Sequence, residues 1–275
     1  MASSSDAAPD GGAPAAPGPK KKPTVVLLIG MAGAGKTTMF HRLNYHCASE
    51  GRTAYYVNLD PAVLSIPFTP HVDVRDTVDY REVMKQYKLG PNGAILTSLN
   101  LFATRFDQVM HLLEKEREPP LEYVFVDTPG QIEVFTWSAS GAIITEALAA
   151  GFPTVALFVV DAARVAAPPT FMSNMLYACS IMYKTQLPLV LAFNKADVAS
   201  ADAPLGWMRD FEAFQDAMDA RADGQSYLGS LNRSLALALD EFYRGLAALA
   251  VSAATGDGVP ELFAALDAAA ESSLV

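Results

Sequence analysis

Eight consecutive residues, Gly30-Met31-Ala32-Gly33-Ala34-Gly35-Lys36-Thr37, set two glycines, a lysine and a hydroxyl at the spacing G-x-x-x-x-G-K-[ST]. They follow directly on the apolar run Val25-Val26-Leu27-Leu28-Ile29, which reads as a buried strand. A strand that ends in a glycine-rich loop and opens a helix aims backbone N–H groups, and the positive end of the helix dipole, at one spot. Phosphates are what such a spot holds. Gly30, Ala32, Gly33, Ala34 and Gly35 supply the cradle, Lys36 reaches the β and γ phosphates, and Thr37 is a ligand of the Mg²⁺ that a nucleoside triphosphate brings. Thr38 joins them as a nucleotide-binding residue at the start of the helix-compatible stretch 38–43. By chance the fixed positions co-occur in a chain of this size only on the order of once in a hundred sequences.

Asp127-Thr128-Pro129-Gly130 sits directly behind the apolar run 123–126. There Asp127 serves Mg²⁺ and the Gly130 N–H faces the γ-phosphate. As an isolated tetrapeptide D-x-x-G is a common turn; behind a strand, in a chain with a phosphate loop, it reads as the switch. Asn194-Lys195-Ala196-Asp197 likewise follows the run 187–193. The Asp197 carboxylate accepts from guanine N1–H and N2–H₂, a pattern adenine does not present. Asn194 adds a contact on the other edge of the base, and the aliphatic stem of Lys195 lies along its face. A wrong base leaves the carboxylate unpaired, so GTP is preferred over ATP. Ser252 and Ala253, after the run 246–251, are expected to complete the base pocket with a backbone N–H. Asp60 lies where Pro61 stops a strand; it touches Mg²⁺ or orients the attacking water, or else serves as a capping or turn residue.

The elements that must position these residues alternate. Besides the runs named, 53–57 and 155–160 have strand character, and 80–87, 106–116, 171–183 and 231–243 have helical spacing. Residues 89–93, rich in Gly, Pro and Asn, read as a turn. Continuous apolar strands alternating with helices predict an α/β fold, a mainly parallel sheet with helices on both faces and ligands at its carboxyl edge. Asp127 comes about a hundred residues after the phosphate loop, so an extra strand and helices must intervene. Residues 1–22, mostly Ala, Ser, Gly and Pro, read as a disordered tail, and 23–272 as a single domain.

Composition narrows the classes. A net charge of −10 argues against broad binding to a nucleic-acid backbone. The apolar stretch 142–160 is broken by Glu146, Gly151 and Pro153, and reads as helix, turn and strand rather than a membrane span. Cys47 and Cys179 offer no disulfide framework and suit a reducing compartment, both as small buried hydrophobes. His41, His46, His71 and His111 have no ligand spacing.

With these residues in hand, the chain resembles the GPN-loop GTPases, named for the insertion that stands here as Gly90-Pro91-Asn92. It is most similar to the GPN-loop GTPase 1 branch, through Asp73-Val74-Arg75-Asp76, Asn100-Leu101-Phe102-Ala103-Thr104, the segment from Gly130 to Gly141, and Phe171-Met172-Ser173-Asn174-Met175-Leu176-Tyr177-Ala178-Cys179-Ser180. The resemblance implies a P-loop NTPase fold of the dimerising, metal-dependent class, with two subunits facing each other across their nucleotides. It implies that Asn92 reaches the partner's phosphate site, while Asp60, Asp127 and Gln131 act within the subunit. It further implies pairing as a homodimer or with a GPN-loop paralogue, assistance to assembly and nuclear import of RNA polymerase II subunits, and a cytoplasmic location with passage to the nucleus. One departure is that the branch carries a long acidic C-terminal tail, whereas this sequence stops at Val275.

The mechanism expected is in-line attack of water on the γ-phosphate. Lys36 and loop N–H groups neutralise charge, and Gln131, Asp60 and Asn92 position the water. Two rival classes are a small-molecule kinase, which has no use for Asn194 and Asp197, and a non-catalytic scaffold that binds GTP only to stay folded.

Overall fold

The structure, a computed structural model, describes residues 22–220, 242, 243 and 245–272. The expected tail, but for Lys22, and nearly all of the expected helix 231–243 lie outside these residues.

Strands β1 (Thr24–Ile29), β2 (Ala54–Asn58), β3 (Val72–Asp73), β4 (Tyr123–Asp127), β5 (Thr154–Asp161), β6 (Leu189–Asn194) and β7 (Ala247–Ala250) form one sheet, in the order β3-β2-β4-β1-β5-β6-β7. Every pairing is parallel. Parallel strands are apolar throughout because both faces are covered, and β1 is buried at every residue. Alternate residues of β1 feed separate cores. Val26 and Leu28 pack with Phe40 and Leu43 of α1 (Lys36–Ser49) and with Phe263 and Leu266 of α12 (Val259–Ser272). Val25, Leu27 and Ile29 face the opposite core.

That second core takes most of the helices. They are α2 (Val74–Thr77), α3 (Tyr80–Tyr87), α4 (Pro91–Ala103), α5 (Phe106–Glu114), α6 (Ile132–Thr136), α7 (Ala139–Gly151), α8 (Ala162–Val165), α9 (Pro168–Thr185), α10 (Asp202–Arg209) and α11 (Phe211–Asp219). The segment 142–160 is helix, turn and strand as expected, and no helix of the described residues is long and apolar enough to cross a membrane.

The expected turn at 89–93 is corrected. Gly90 is the N-cap of α4, Pro91 its first residue, and Asn92 and Gly93 lie in its first turn. Proline at this position lacks only an N–H that the helix leaves unpaired anyway, and its fixed φ suits a helix start. Inside α4 the residues Ala94, Ile95, Leu99 and Phe102 recur at helical spacing and are buried. Cys47 is buried, whereas Cys179 is only half-buried.

One row of the register matters below. Asn58 lies opposite Asp73 on one side and Asp127 on the other, and Asp127 lies opposite Leu28 of β1. The carboxyl ends of four neighbouring strands thus stand level.

Candidate nucleotide-binding and hydrolytic site

The loop between β1 and α1 is held from outside by three side chains. The carbonyl of Ala32 accepts from Arg164 Nη1 at 3.2 Å, that of Gly33 from Lys195 Nζ at 2.7 Å, and that of Ala34 from Asn194 Nδ2 at 2.9 Å. In a trans peptide the N–H points opposite to the C=O. Drawing these carbonyls outward therefore turns the N–H groups of Gly33 and Gly35 the other way, while that of Ala34 closes a turn onto Met31 O. Gly35, the N-cap of α1, adopts φ 91°. A Cβ there would stand 2.4 Å from Asn194 Nδ2, so both the backbone and the space require glycine.

Lys36 opens α1 from within the protein. Its ammonium is buried and donates to Gly30 O at 2.9 Å. Burial pulls its pKa down, and the carboxylates of Asp127 and Asp60 oppose that. Thr37 is half-buried beside it and Thr38 is exposed.

Asp127 ends β4, fully enclosed. Burial pushes its carboxyl up to about 7, with Lys36 opposing and Asp60 adding to the rise. Its Oδ1 is buried without a hydrogen-bond partner among the described residues. The turn behind it is fastened to β1, because Thr128 Oγ1 donates to Leu28 O at 2.6 Å. Asp60, two residues past β2, turns its carboxylate inward, where Oδ1 accepts from Ala62 N at 2.9 Å. Burial raises its pKa, and the nearby N–H groups of Ala62 and Gly130 and the Lys36 ammonium oppose that. The Gly130 N–H expected to face a phosphate is thus also a neighbour of the Asp60 carboxylate. A Cβ on Gly130 would lie 3.6 Å from Lys36 Nζ, so Lys36, Asp60, Asp127 and Gly130 share one small volume.

Gln131 is the half-buried N-cap residue of α6. Gly90, Pro91 and Asn92 are exposed on the opening of α4, and Pro91 O accepts from Tyr80 Oη at 3.3 Å.

The base-reading residues are tied to one another. Asn194 is buried, and its carboxamide spans Ala34 O and the N–H of Ala253, at 3.0 Å. The amide expected at the base edge is therefore also a rivet between two loops. Ser252 Oγ donates to Asp197 Oδ1 at 2.6 Å and so orients the exposed carboxylate. The backbone N–H groups expected to meet the base have protein partners instead: that of Ser252 bonds Asp257 O and that of Ala253 bonds Asn194.

Three further residues carried no sequence motif. Asp161, at the end of β5, accepts from Lys195 Nζ at 2.7 Å and lies 3.6 Å from Arg164 Nε. Burial alone would raise its carboxyl; the Lys195 ammonium and the N–H groups of Ala163 and Arg164 outweigh it and hold the carboxyl below its ordinary value. Arg42, on α1, donates to Ala253 O at 2.8 Å and to Ala254 O. An acidic residue closing a buried strand with an arginine three positions on was the available signal for Asp161 and Arg164.

Fold and loop together define an α/β protein of the P-loop NTPase class. The family model described as "Conserved hypothetical ATP binding protein" matches residues 28–272. "GPN-loop GTPase QQT2" of Arabidopsis thaliana is 60% identical over 244 residues, which are 89% of this chain and 63% of that protein. "GPN-loop GTPase 1" of Dictyostelium discoideum is 54% identical over 91% of this chain and 62% of its own length. The chain thus spans a little over six tenths of these two relatives. Among solved structures, the apo form of the GTPase PAB0955 from Pyrococcus abyssi superposes with a TM-score of 0.75 at 26% identity, covering 90% of this chain and 97% of that one. The chain belongs to the GPN-loop GTPase family.

Proposed function

We propose that the chain is a Mg²⁺-dependent GTPase that works as one half of a dimeric switch. The observation that carries the reading is the convergence of Lys36, Asp60, Asp127 and Gly130 at the strand ends, across the loop from an Asp197 oriented by Ser252. Hydrolysis is the chemistry this set suits. Lys36 offsets charge on the transferred phosphoryl group, and Gln131 with Asp60 orients a water in line with it. The water oxygen bonds to the γ-phosphorus as the bond to the β-phosphate oxygen breaks, giving GDP and phosphate.

The donor set fits a hard divalent cation. Asp127 offers a buried oxygen without a partner among the described residues, and a buried carboxylate left so is costly unless an ion meets it. Thr37, Asp60 and Asp127 are the residues that would hold Mg²⁺, which when bound would neutralise the β and γ phosphates.

The guanine preference rests on Asp197 and stands apart from the ATP-binding wording of the family description. Pairing is supported by exposed apolar side chains near α4, namely Leu96, Leu101, Trp137 and Ile143, and by the exposure of Asn92, which would complete a partner's site. By family resemblance the pair, a homodimer or a heterodimer with a paralogue, serves assembly and nuclear import of RNA polymerase II from the cytoplasm.

Steady-state GTP and ATP hydrolysis with and without Mg²⁺ tests this, using wild type and Gln131→Leu. We expect Mg²⁺-dependent turnover of GTP only, at least tenfold slower in the variant. Equal rates in the two proteins would remove Gln131 from the mechanism, and equal use of ATP would remove the guanine reading.

A further inference from the structure

The segment Asp73-Val74-Arg75-Asp76 has no place in the chemistry above, yet Asp73 and Arg75 form the most densely bonded polar knot near the site. Asp73 is 6% exposed and caps α2 by accepting from Arg75 N at 2.9 Å. The Arg75 guanidinium grips it three times more, through Nε to both carboxylate oxygens at 3.0 and 3.1 Å and through Nη2 at 2.6 Å. On the other side Asp73 Oδ1 accepts from Asn58 Nδ2 at 3.0 Å. Asn58 is fully buried, and its carboxamide brackets the Asp60 backbone: Oδ1 accepts from Asp60 N at 3.1 Å, and Nδ2 donates to Asp60 O at 3.2 Å. The free arm of Arg75, Nη1, reaches three residues further along that loop, to Val63 O at 3.1 Å.

Both ends of the segment 60–63 are therefore tied to one carboxylate. Asp60 is held through Asn58, and Val63 through Arg75. Beyond Val63 the chain runs along the surface, with Leu64 90% exposed. Between the ties the Asp60 carboxylate accepts from Ala62 N and lies within the electrostatic reach of Lys36.

We propose that Asp73 and Arg75 are positioning residues for Asp60, a latch that presets the direction of its carboxylate before any ligand arrives. Planar, forked Arg75 suits this because one guanidinium serves the carboxylate and the Val63 carbonyl together, which a lysine point charge does not. The proposal rests on the reading of Asp60 as a residue facing metal or water, and it deepens that reading.

The test uses the full chain, with wild type, Arg75→Ala, Arg75→Lys, Asp60→Ala and the Asp60→Ala/Arg75→Ala double variant. Hydrogen exchange in metal-free protein reports the latch without turnover, since the Asp60 and Ala62 amides are bonded within it. Arg75→Ala is expected to speed their exchange about tenfold or more and to leave the α1 amides unchanged. It should lower kcat for GTP about tenfold, with KM within twofold. The double variant should hydrolyse no more slowly than Asp60→Ala, because Arg75 acts through Asp60. Arg75→Lys should fall between wild type and Arg75→Ala, and it carries the measurement if Arg75→Ala does not fold. Unchanged exchange at the Asp60 and Ala62 amides, or multiplicative losses in the double variant, overturns the latch. Wild-type hydrolysis by Asp60→Ala would instead overturn the reading of Asp60, leaving exchange to judge the latch alone.

Discussion

The two sides of the carboxyl edge are built on different terms. On the side of β5, β6 and β7, the groups that would meet base and phosphate loop already bond one another: Asn194 to Ala34 and Ala253, Lys195 to Gly33 and Asp161, Ser252 to Asp197. On the side of β4, β2 and β3, Asp127 keeps a buried oxygen without a partner among the described residues, Asp60 is aimed by a latch, and Asn92 faces solvent. Binding geometry is set by the chain itself, whereas the groups proposed for hydrolysis have bonding capacity left for an ion, a water and a second subunit. Affinity and turnover should then separate cleanly by side.

The sharpest way to break the first side is Gly35→Ala. Its Cβ would collide with Asn194 in a backbone conformation of φ 91°. We expect GDP affinity to fall by about a thousandfold, or ~4 kcal/mol, in a titration with fluorescent GDP; a loss below tenfold would mean that the loop is not the binding determinant.

On the other side, Asp127→Asn should spare binding and stop chemistry. Hydrolysis at saturating GTP should drop by about 10²- to 10³-fold, while GDP affinity in the presence of a chelator stays near that of wild type.

The latch carries a pH signature. Asp73 is buried, which alone would raise its carboxyl, but Arg75 and Asn58 hold it below its ordinary value. A carboxyl with a depressed folded-state pKa contributes stability that is present above its unfolded value, about 3.9, and is lost as pH falls through the folded value. Asp73→Asn should therefore be less stable than wild type by about 2 kcal/mol at pH 7, and the gap should close below about pH 4. Denaturant melts across pH check this, and a gap that widens in acid would refute the assignment.

The mildest change sharpens the contrast. Asp161→Ala frees Lys195 from one of two acceptors, and should weaken GDP binding about fivefold, or ~1 kcal/mol, with kcat unchanged. A fall in kcat without a fall in affinity would show that the two sides are coupled through this carboxylate.

The strands were readable because burial on both faces leaves unbroken apolar runs, as at 25–29 and 155–160, and the residues at their ends announced themselves as motifs. What escaped detection has a physical cause in each case. The opening of α4 reads as a turn because Gly90, Pro91 and Asn92 are turn residues by composition, although the same residues are a helix cap followed by a first-turn proline. Strand β3 is two residues long and exists only through its pairing with β2. Asp161, Arg164 and Arg42 act across 34 to 212 positions of chain, and contacts of that range leave no local spacing to recognise. Helix Tyr80–Tyr87 was legible to the residue because its polar and apolar positions alternate with the helical period.

The rivet between Ala34, Asn194 and Ala253, with Arg42 reaching Ala253 across 211 positions, has a consequence for synthesis. A ribosome makes the phosphate loop first, but Asn194, which draws the Ala34 carbonyl outward, follows 160 positions later, and Ala253, which seats on Asn194, later still. A nascent chain arrested before residue 253 carries the whole phosphate-loop motif and lacks the bonds that Ala253 makes with Asn194 and Arg42. The surroundings of the phosphate loop are therefore completed when β7 docks and brings Ala253 to Asn194, and not with the synthesis of the loop itself.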